Sequence, residues 1–518
     1  MAPQIAWTDV PNNAHAIWYK DAGLRKNVAF GLGLCLVIAT NGYQATLLSG
    51  FQAMLSWQTF FRHPVGTRLG LYAASFFLPS IFTSFIGDYI STKYGRRWCI
   101  IIANIIILAG SIINTFANSI GMWVAGRAII GAGVGIVKVA APVLIQEISH
   151  PRLRPILGSA YQTFAYIGTF VAAFMTFVGL YIKGDWGWRF PSLLQIIGPV
   201  MVLIVTFLCP ESPRWLIKEG KEEQATKVLA TLHANGDEND ALVQLEISQI
   251  KAALEREVNM KQASFLDFLR TPGNRKRLIT LVALAFSLNW MGNGIITYYL
   301  SPVLKSVGIT APVQITLINS GLALWNLILA SCAAIGVDKF GRRPLFLISC
   351  LGMLCSYGVV MGLSAGFAQT KQHSLGIAVI PFLFIYFGFY DIAFTPLPIA
   401  YTVEILPFNI RSKGMALFTS TATLGNAFNQ FVNPIALKAI AWRYYGVYIG
   451  ILIFYFVFIF LLFPETKRLS AEEASRVFDY GRKGVPRASE SDVENTLPHR
   501  GGADSPTTSE NKGEFEHK

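Results

Sequence analysis

The chain alternates long apolar runs with short polar connections, and one long polar interval, residues 210–277, divides it into two halves. A helix needs about 20 mostly apolar residues to cross a bilayer, and twelve runs meet that length. They are called spans 1 to 12 here and begin near Val28, Leu69, Trp98, Gly121, Ile156, Pro191, Leu278, Val313, Pro344, Gly376, Met415 and Tyr445. The pattern predicts an all-α membrane protein with six spans on each side of the polar interval.

Each half carries the same charged landmarks in the same order. The first set is Tyr94 to Arg97, then Glu147 with Arg154, then Pro210 to Arg214. The second set is Phe340 to Arg343, then Glu404 with Arg411, then Pro464 to Lys467. Recurrence of three landmarks in one order indicates a duplicated unit, which is typical of transporters built from two related bundles. The predicted bundles are residues 28–209 and 278–463, two pseudo-symmetric six-helix units.

Composition supports lipid as the solvent of much of the chain. Hydrophobic residues make up 53% of it and charged residues only 14%, against about 25% charged in ordinary soluble domains. The net charge of +13 does not indicate nucleic acid, because the basic residues lie in loops where the positive-inside rule predicts them. That rule places residues 1–27, the polar insert 210–277 and the tail 464–518 in the cytoplasm.

The polar segments have their own predicted structure. Within the insert, residues 219–232 and 241–258 have helical composition, and the tail from about residue 479 has the composition of a disordered segment. The first 27 residues lack the apolar core of a cleavable signal peptide. Seven scattered histidines and six cysteines without ligand spacing predict no metal, no cofactor and no enzyme motif.

Several motifs match a known family. Gly126 and Arg127 with three following glycines, the run from Pro142 to Arg154, and the segment Pro210 to Leu216 resemble the sugar porter family of the major facilitator superfamily. The resemblance extends from Gly42 to Glu473 and implies twelve helices, alternating access and a polyhydroxylated solute. Finer motifs around Trp290, Asp391 and Asn426 resemble the fungal branch of lactose and cellodextrin permeases.

Polar side chains recur along several spans that are otherwise apolar. Four amides form one predicted polar stripe on the helix of span 11, namely Asn426, Asn429, Gln430 and Asn433. On the helix predicted for span 7, Asn289, Asn293 and Thr297 lie four residues apart. Such groups are costly in lipid unless they face a cavity or one another, and a sugar site needs amides, hydroxyls and an aromatic surface. The resemblance implies that six of them line the sugar site: Gln162, Asn289, Asn319, Asp391, Asn426 and Gln430. Trp290, Asn293 and Tyr298 complete the predicted site on span 7. The alternative is that these amides only hold helices together.

Charged residues at the insert side form two predicted gate networks. The first comprises Arg96, Arg97, Glu147, Arg154, Glu211 and Arg214. The second comprises Asp338, Arg342, Arg343, Glu404, Arg411 and Glu465. In the resembled family such networks hold the inner gate closed. The alternative is a set of surface ion pairs worth under about 1 kcal/mol each.

Coupling to protons is the open question in the sequence. Proton-coupled members carry an Asp after a Gly-Tyr pair in span 1, and here that position is Gln44, so Arg127 lacks its usual partner. Lys138 lies eleven residues beyond Arg127, on the same face of span 4 and about 16 Å along its axis. Three interpretations follow: a uniporter, a symporter that uses Asp391 or Glu147, or a carrier for an anionic sugar acid or specialised metabolite. The alternative for Lys138 is that its side chain points at a neighbouring helix end and extends towards the polar interface.

Other classes of protein fit the sequence less well. A solute receptor on the same scaffold usually needs a longer tail, and a membrane enzyme would need a catalytic motif. We therefore expect a monomeric carrier of the plasma membrane that binds a small sugar-like solute. The sequence does not name the solute or the direction of transport.

Overall fold

The computed structural model describes residues 10–15, 17–259, 264–466 and 478, and outside short 3-10 turns its regular structure there is α-helix. Eleven helical stretches are long and apolar enough to cross a membrane. One of them, Lys413–Leu462, contains two consecutive helices, which accounts for the twelve predicted spans. The predicted tail beyond residue 478 lies outside the described residues.

The first half contains spans 1 to 6. Its helices are α1 (Ala22–Phe51), α2 (Leu55–Phe60), α3 (Thr67–Tyr94), α4 (Arg96–Thr115), α5 (Ile120–Ile148), α6 (Arg154–Gly179), α7 (Trp186–Leu194) and α8 (Ile197–Leu208). Helices α7 and α8 together form span 6, and α2 is a short helix that the sequence did not predict.

The insert is helical, as its composition predicts. Its helices are α9 (Pro213–Lys218), α10 (Glu222–His233), α11 (Ala241–Asn259) and α12 (Asp267–Arg270). Helices α10 and α11 occupy the two segments predicted as helical. We call the side of the bundles that carries these helices the insert side, and the opposite side the far side.

The second half repeats the pattern of the first. Its helices are α13 (Pro272–Trp290), α14 (Asn293–Ser306), α15 (Pro312–Phe340), α16 (Arg342–Thr370), α17 (His373–Ala393), α18 (Leu397–Ile405), α19 (Phe408–Ile440) and α20 (Tyr444–Leu462). Helices begin several residues before the apolar runs, at Ala22 instead of Val28 and at Phe408 instead of Met415, because polar first turns continue the same rod. Hydropathy therefore located the spans but not their ends.

Span 7 is broken, which corrects the prediction of one continuous helix with a polar stripe. Gly292, between α13 and α14, has φ of 106°, a left-handed conformation that glycine adopts without strain. The break frees backbone carbonyls inside the membrane, and such groups need internal partners. Hydroxyls of Tyr357, Tyr386 and Tyr390, from spans 9 and 10, donate to the carbonyl oxygens of Gly292, Met291 and Leu288 at 2.7, 2.8 and 2.9 Å, respectively.

Large apolar side chains cover the outer surface. Phe82, Leu208 and Leu461 are each more than 70% exposed, which in water would be an aggregation hazard but suits contact with lipid tails. The interior holds one core formed mostly by the second half and two formed mostly by the first, one of which is an aromatic cluster around Trp57 and Trp123 at the far side. Each half is thus largely a packed unit of its own.

Candidate functional site

A cavity of about 440 Å³ lies between the halves towards the insert side. Helices α5 and α6 supply its first-half wall, and α15, α18 and the α17–α18 connection supply the other wall. Gln162 lines it with an exposed side chain, together with Gln146 and Thr163. Of the predicted binding residues, Gln162 lines this cavity directly, and the amide of Gln146 was missed because it directly precedes Glu147 in a segment interpreted as part of the gate.

Asp391 lies at the seam between the halves. Its side chain is fully buried, and its Oδ1 atom accepts hydrogen bonds from Tyr166 of α6 at 2.9 Å and from Thr395 at 2.8 Å. Tyr166 and Thr395 also contact each other at 2.8 Å, and Thr395 lines the cavity. The other oxygen, Oδ2, is buried without a hydrogen-bond partner among the described residues. A carboxyl group of one half is therefore joined to a phenol of the other.

Arg127 is buried in the first half without a carboxylate beside it. Its guanidinium donates to the backbone oxygen of Gln44 at 2.7 Å and lies over the rings of Phe76 and Trp123, at 4.7 and 5.6 Å from their centroids. The side-chain amide of Gln44 is fully buried, and neither of its polar atoms contacts a partner in the described chain. Cation–π contacts thus replace the ion pair that the resemblance implies.

Two of the four amides in the polar stripe predicted on span 11 contact the neighbouring helix α20. Asn429 and Asn433 form a buried network with Tyr444 and Tyr448 of α20, so these amides hold helices of one half together. This is the alternative interpretation of the stripe. The amide of Gln430 donates to Asn426 at 3.2 Å, one turn earlier.

The predicted residues on span 7 also contact neighbouring helices. The amide of Asn289 donates to the carbonyl oxygen of Ala422, and the indole of Trp290 donates to that of Gly425, both at 3.0 Å. Asn293 bridges the helix break by donating to Leu288 at 2.8 Å. These three side chains join or shape helices, and their place in the solute site stays a prediction.

Two predicted residues lie on the inner faces of the halves. Tyr298 of α14 contacts the ring of Phe77 of α3, with ring centroids 5.7 Å apart, so it bridges the halves. Asn319 of α15 is 7% exposed, and its amide nitrogen is buried without a partner among the described side chains. An unpaired buried amide is costly, so Asn319 stays a candidate for the predicted solute site.

Gln52 closes the far side, and the sequence did not indicate it. The amide of Gln52, just beyond α1, donates to the carbonyl oxygen of Tyr298 in the other half at 2.8 Å. Its own backbone oxygen accepts from Ser301 at 3.1 Å and Lys305 at 3.3 Å, both on α14. Gln58 donates to the same oxygen from within the first half. One residue thus makes three contacts across the seam.

A second cavity, of about 690 Å³, lies at the far side beyond this closure. We call it the far vestibule. Its lining includes Lys305, Lys438 and His63, and none of the described residues that line it is Asp or Glu. Its electrostatic potential is therefore positive wherever these groups are protonated.

The predicted gate residues of the first half come together at the insert side. Arg96 pairs with Glu147 at 3.0 Å, and Ser212 also donates to that carboxylate. Glu211 accepts from the backbone N–H groups of Arg96 and Arg97, so it caps α4. Burial raises the pKa of Glu211, although these hydrogen bonds oppose that shift.

The remaining predicted residues of that half extend the cluster into the insert. Arg154 donates to the backbone oxygen of Ser149 at 3.2 Å and pairs with Glu246 of α11 at 3.5 Å. Arg214 lies in α9. Arg154 therefore anchors an insert helix, instead of acting within the bundle alone.

The second half repeats these contacts. Arg342 pairs with Glu404 at 3.1 Å, and Glu465 caps α16 by accepting from the backbone N–H groups of Arg342 and Arg343. Arg411 donates to the oxygen of Leu406, five residues earlier, as Arg154 does to Ser149. The side chain of Asp338 lies outside the described residues.

Polar contacts of two histidines, His233 and His150, hold the insert and the N-terminal segment against the insert side of the first half. His233 of α10 lies between Glu246, at 2.6 Å, and the oxygen of Ile148, at 3.0 Å. His150 packs against the His233 ring and contacts Asn12 at 2.9 Å. Burial, together with His233, lowers the pKa of His150 to about 4.

Comparisons with known proteins agree with this architecture. The model of the family described as sugar (and other) transporter matches residues 33–478. The chain is 27% identical over 465 residues to the MFS glucose transporter mfs1 of Aspergillus flavus, covering 85% of this chain and 87% of that protein. It is 27% identical over 419 residues to sugar transport protein 4 of Arabidopsis thaliana, covering 79% of each.

A solved structure has the same fold. The inward-open xylose transporter XylE from E. coli superposes with a TM-score of 0.73 at 23% identity, covering 87% of this chain and 99% of that one. The family match spans most of both bundles and the insert. The chain belongs to the sugar (and other) transporter family.

Proposed function

We propose that the chain is a secondary carrier for a sugar-like, polyhydroxylated solute and that Asp391 carries a coupled proton. The observation behind the coupling is the contact between Asp391 and Tyr166, because it joins the two halves at the cavity. Alternating access requires the halves to move relative to each other. A proton on this carboxyl group therefore changes the interaction that crosses the moving seam.

The free Oδ2 atom of Asp391 supports this assignment. Since Oδ1 already accepts from Tyr166 and Thr395, an added proton has Oδ2 as its site and would occupy that unpartnered oxygen. An ionised buried carboxylate with one unsolvated oxygen costs free energy that protonation removes. Glu147, the other predicted candidate, pairs with Arg96 and Ser212 inside one half, which favours a structural role for it.

Cavity chemistry supports a polyhydroxylated solute. Gln162 and Gln146 present exposed amides, and the hydroxyls of Thr163 and Thr395 lie in the same lining. Amides and hydroxyls can both donate and accept, as sugar hydroxyls require. Asn319 is not among the lining residues of this cavity, and its buried amide nitrogen has no hydrogen-bond partner among the described residues.

Orientation and setting complete the proposal. Basic residues in the insert support a cytoplasmic insert and cytoplasmic termini, so the 440 Å³ cavity would face the cytoplasm. We propose a plasma-membrane monomer of the fungal lactose and cellodextrin-like branch, on the motifs around Trp290, Asp391 and Asn426.

Uptake by purified protein in liposomes tests the proposal. Labelled glucose, galactose, xylose, lactose and cellobiose are supplied to the liposomes with and without a gradient of two pH units that is acidic outside. One proton per solute supports up to about 100-fold accumulation, because each pH unit is worth about 1.36 kcal/mol. Uptake that only equilibrates would establish the uniporter and remove the proton role of Asp391.

The variant Asp391→Asn separates the two parts of the proposal. Its amide oxygen still accepts from Tyr166 and Thr395, but it does not take up a proton. We expect gradient-driven accumulation to disappear while solute exchange without a gradient persists. Asp185→Asn, which removes an exposed carboxylate in the α6–α7 connection, is the matched control and should accumulate solute like the unmodified protein.

A further inference from the structure

Lys138 is the charged residue of the apolar span α5 between Arg127 and Glu147. Its side chain is exposed, whereas Val137, Ala140 and Ala141 beside it are completely buried. It lies four residues before Pro142, which lines the insert-side cavity, and residues four apart share one helix face. Lys138 therefore lies on the face of α5 that forms the cavity wall, one turn further from the insert side than Pro142.

No acidic side chain neutralises Lys138 in the described part of the chain, and no hydrogen-bond acceptor contacts it there. Glu147, on the same helix, is held by Arg96, and Glu404 of the facing wall is held by Arg342. A charged side chain inside a spanning segment is costly, and it usually marks a solute or ion pathway. The ammonium group is thus available to a ligand.

Two further features add positive charge along the pathway. Arg127, three helical turns towards the far side on the same face of α5, is buried without an acid partner among the described residues. Beyond it, Lys305 and Lys438 line the far vestibule, whose described lining residues include no acid. Asp391, at the seam, accepts hydrogen bonds from Tyr166 and Thr395 but makes no ion pair in the described region, and in our proposal it is protonated when solute binds.

We propose that the transported solute carries a carboxylate on a polyhydroxylated body, as aldonates and uronates do, and that Lys138 binds the carboxylate. Charge-assisted hydrogen bonds from an ammonium group to a carboxylate are about twice as strong as neutral ones. Gln162 and Gln146 bind hydroxyls of the same solute from the cavity wall. This substrate class rests on the proposed carrier function.

Protonation of Asp391 makes this assignment consistent with the coupling. An ionised Asp391 would repel a carboxylate in the same site, whereas the neutral acid does not. The solute anion and one proton then cross together with no net charge. The positive far vestibule raises the local concentration of such an anion before it reaches the seam.

The test compares labelled gluconate, galacturonate and galactose in liposomes containing the full-length protein. We expect gluconate or galacturonate uptake, and Lys138→Gln should reduce it at least ten-fold at low solute concentration, consistent with loss of a charged hydrogen bond. Lys138→Arg keeps the charge and should retain most of the uptake. Lys183→Gln removes the same charge from an exposed far-side loop and should behave like the unmodified protein.

Each outcome is decisive. Uptake of galactose without either acid overturns the anionic class and leaves the carrier function intact, whereas uptake of no solute counts against the carrier function itself. Acid uptake that survives Lys138→Gln overturns the role of Lys138. Size-exclusion profiles and melting temperatures of the variants show that each is folded, and if Lys138→Gln fails to fold, loss of acid uptake in a folded Lys138→Met decides instead.

Discussion

Removing the Gln52 side chain should open the far side of the carrier. In Gln52→Ala, the hydrogen bond of 2.8 Å to the Tyr298 oxygen disappears, while the backbone oxygen that accepts from Ser301 and Lys305 remains. One neutral hydrogen bond contributes about 1 kcal/mol. The ratio of far-side-closed to far-side-open protein should therefore fall about five-fold.

Distances between spin labels measure that ratio directly. Labels at Leu55 and Val313 are exposed at the far side on opposite halves, and the native cysteines are first replaced. Gln58→Ala is the matched control, since its hydrogen bond to Gln52 stays within one half. An unchanged distance distribution in Gln52→Ala, or an equal shift in Gln58→Ala, would refute the role of Gln52 in closure.

Three other predictions concern stability. Asn433→Ala removes the acceptor of two buried tyrosine hydroxyls, so the melting temperature in detergent should drop by the equivalent of about 2 kcal/mol, and a change within error would contradict the network. Gly168→Ala places a Cβ against the Ala39 carbonyl oxygen and should cost about 1–3 kcal/mol, whereas Gly358→Ala, with no neighbouring atom, should melt like the parent. His150 has its pKa lowered to about 4 in the folded state, so acid favours unfolding. The contribution of this histidine to stability is fully present above pH 6.5 and is lost as the pH falls towards 4, by about 3 kcal/mol in total. Melting curves from pH 7 to pH 4 should show this slope, and His150→Gln should flatten it.

Hydropathy predicted the number and order of the spans because a bilayer imposes one length and one polarity on each. Duplicated charged motifs predicted the two halves because each half uses the same Arg–Glu pair and the same glutamate cap. Composition alone also located α10 and α11. These features depend on local sequence, which periodicity and composition describe well.

The site was harder to predict because it depends on which neighbour each polar face meets. Asn429 and Asn433 share one helix with Asn426 and Gln430, yet they pair with tyrosines of α20, and no spacing rule separates the two pairs. The closure at Gln52 depends on hydrogen bonds to backbone oxygens, which sequence patterns do not predict.

The break in span 7 illustrates the same limit. A Met-Gly pair in an apolar run does not indicate a helix end by itself. The partners that make the break tolerable are tyrosine hydroxyls from spans 9 and 10, which lie far along the chain. Tertiary context therefore decides where this helix stops.

The caps formed by Glu211 and Glu465 have a mechanical consequence. Each acid follows the last span of its half and fixes the start of the third span, so its contacts join parts that travel together. Both acids therefore stabilise contacts within one half, which moves as a unit, and neither of them joins the two halves. Charge can thus stiffen each half without restraining the larger displacement between the halves, which is opposed by contacts across the seam such as those of Gln52 and Tyr166.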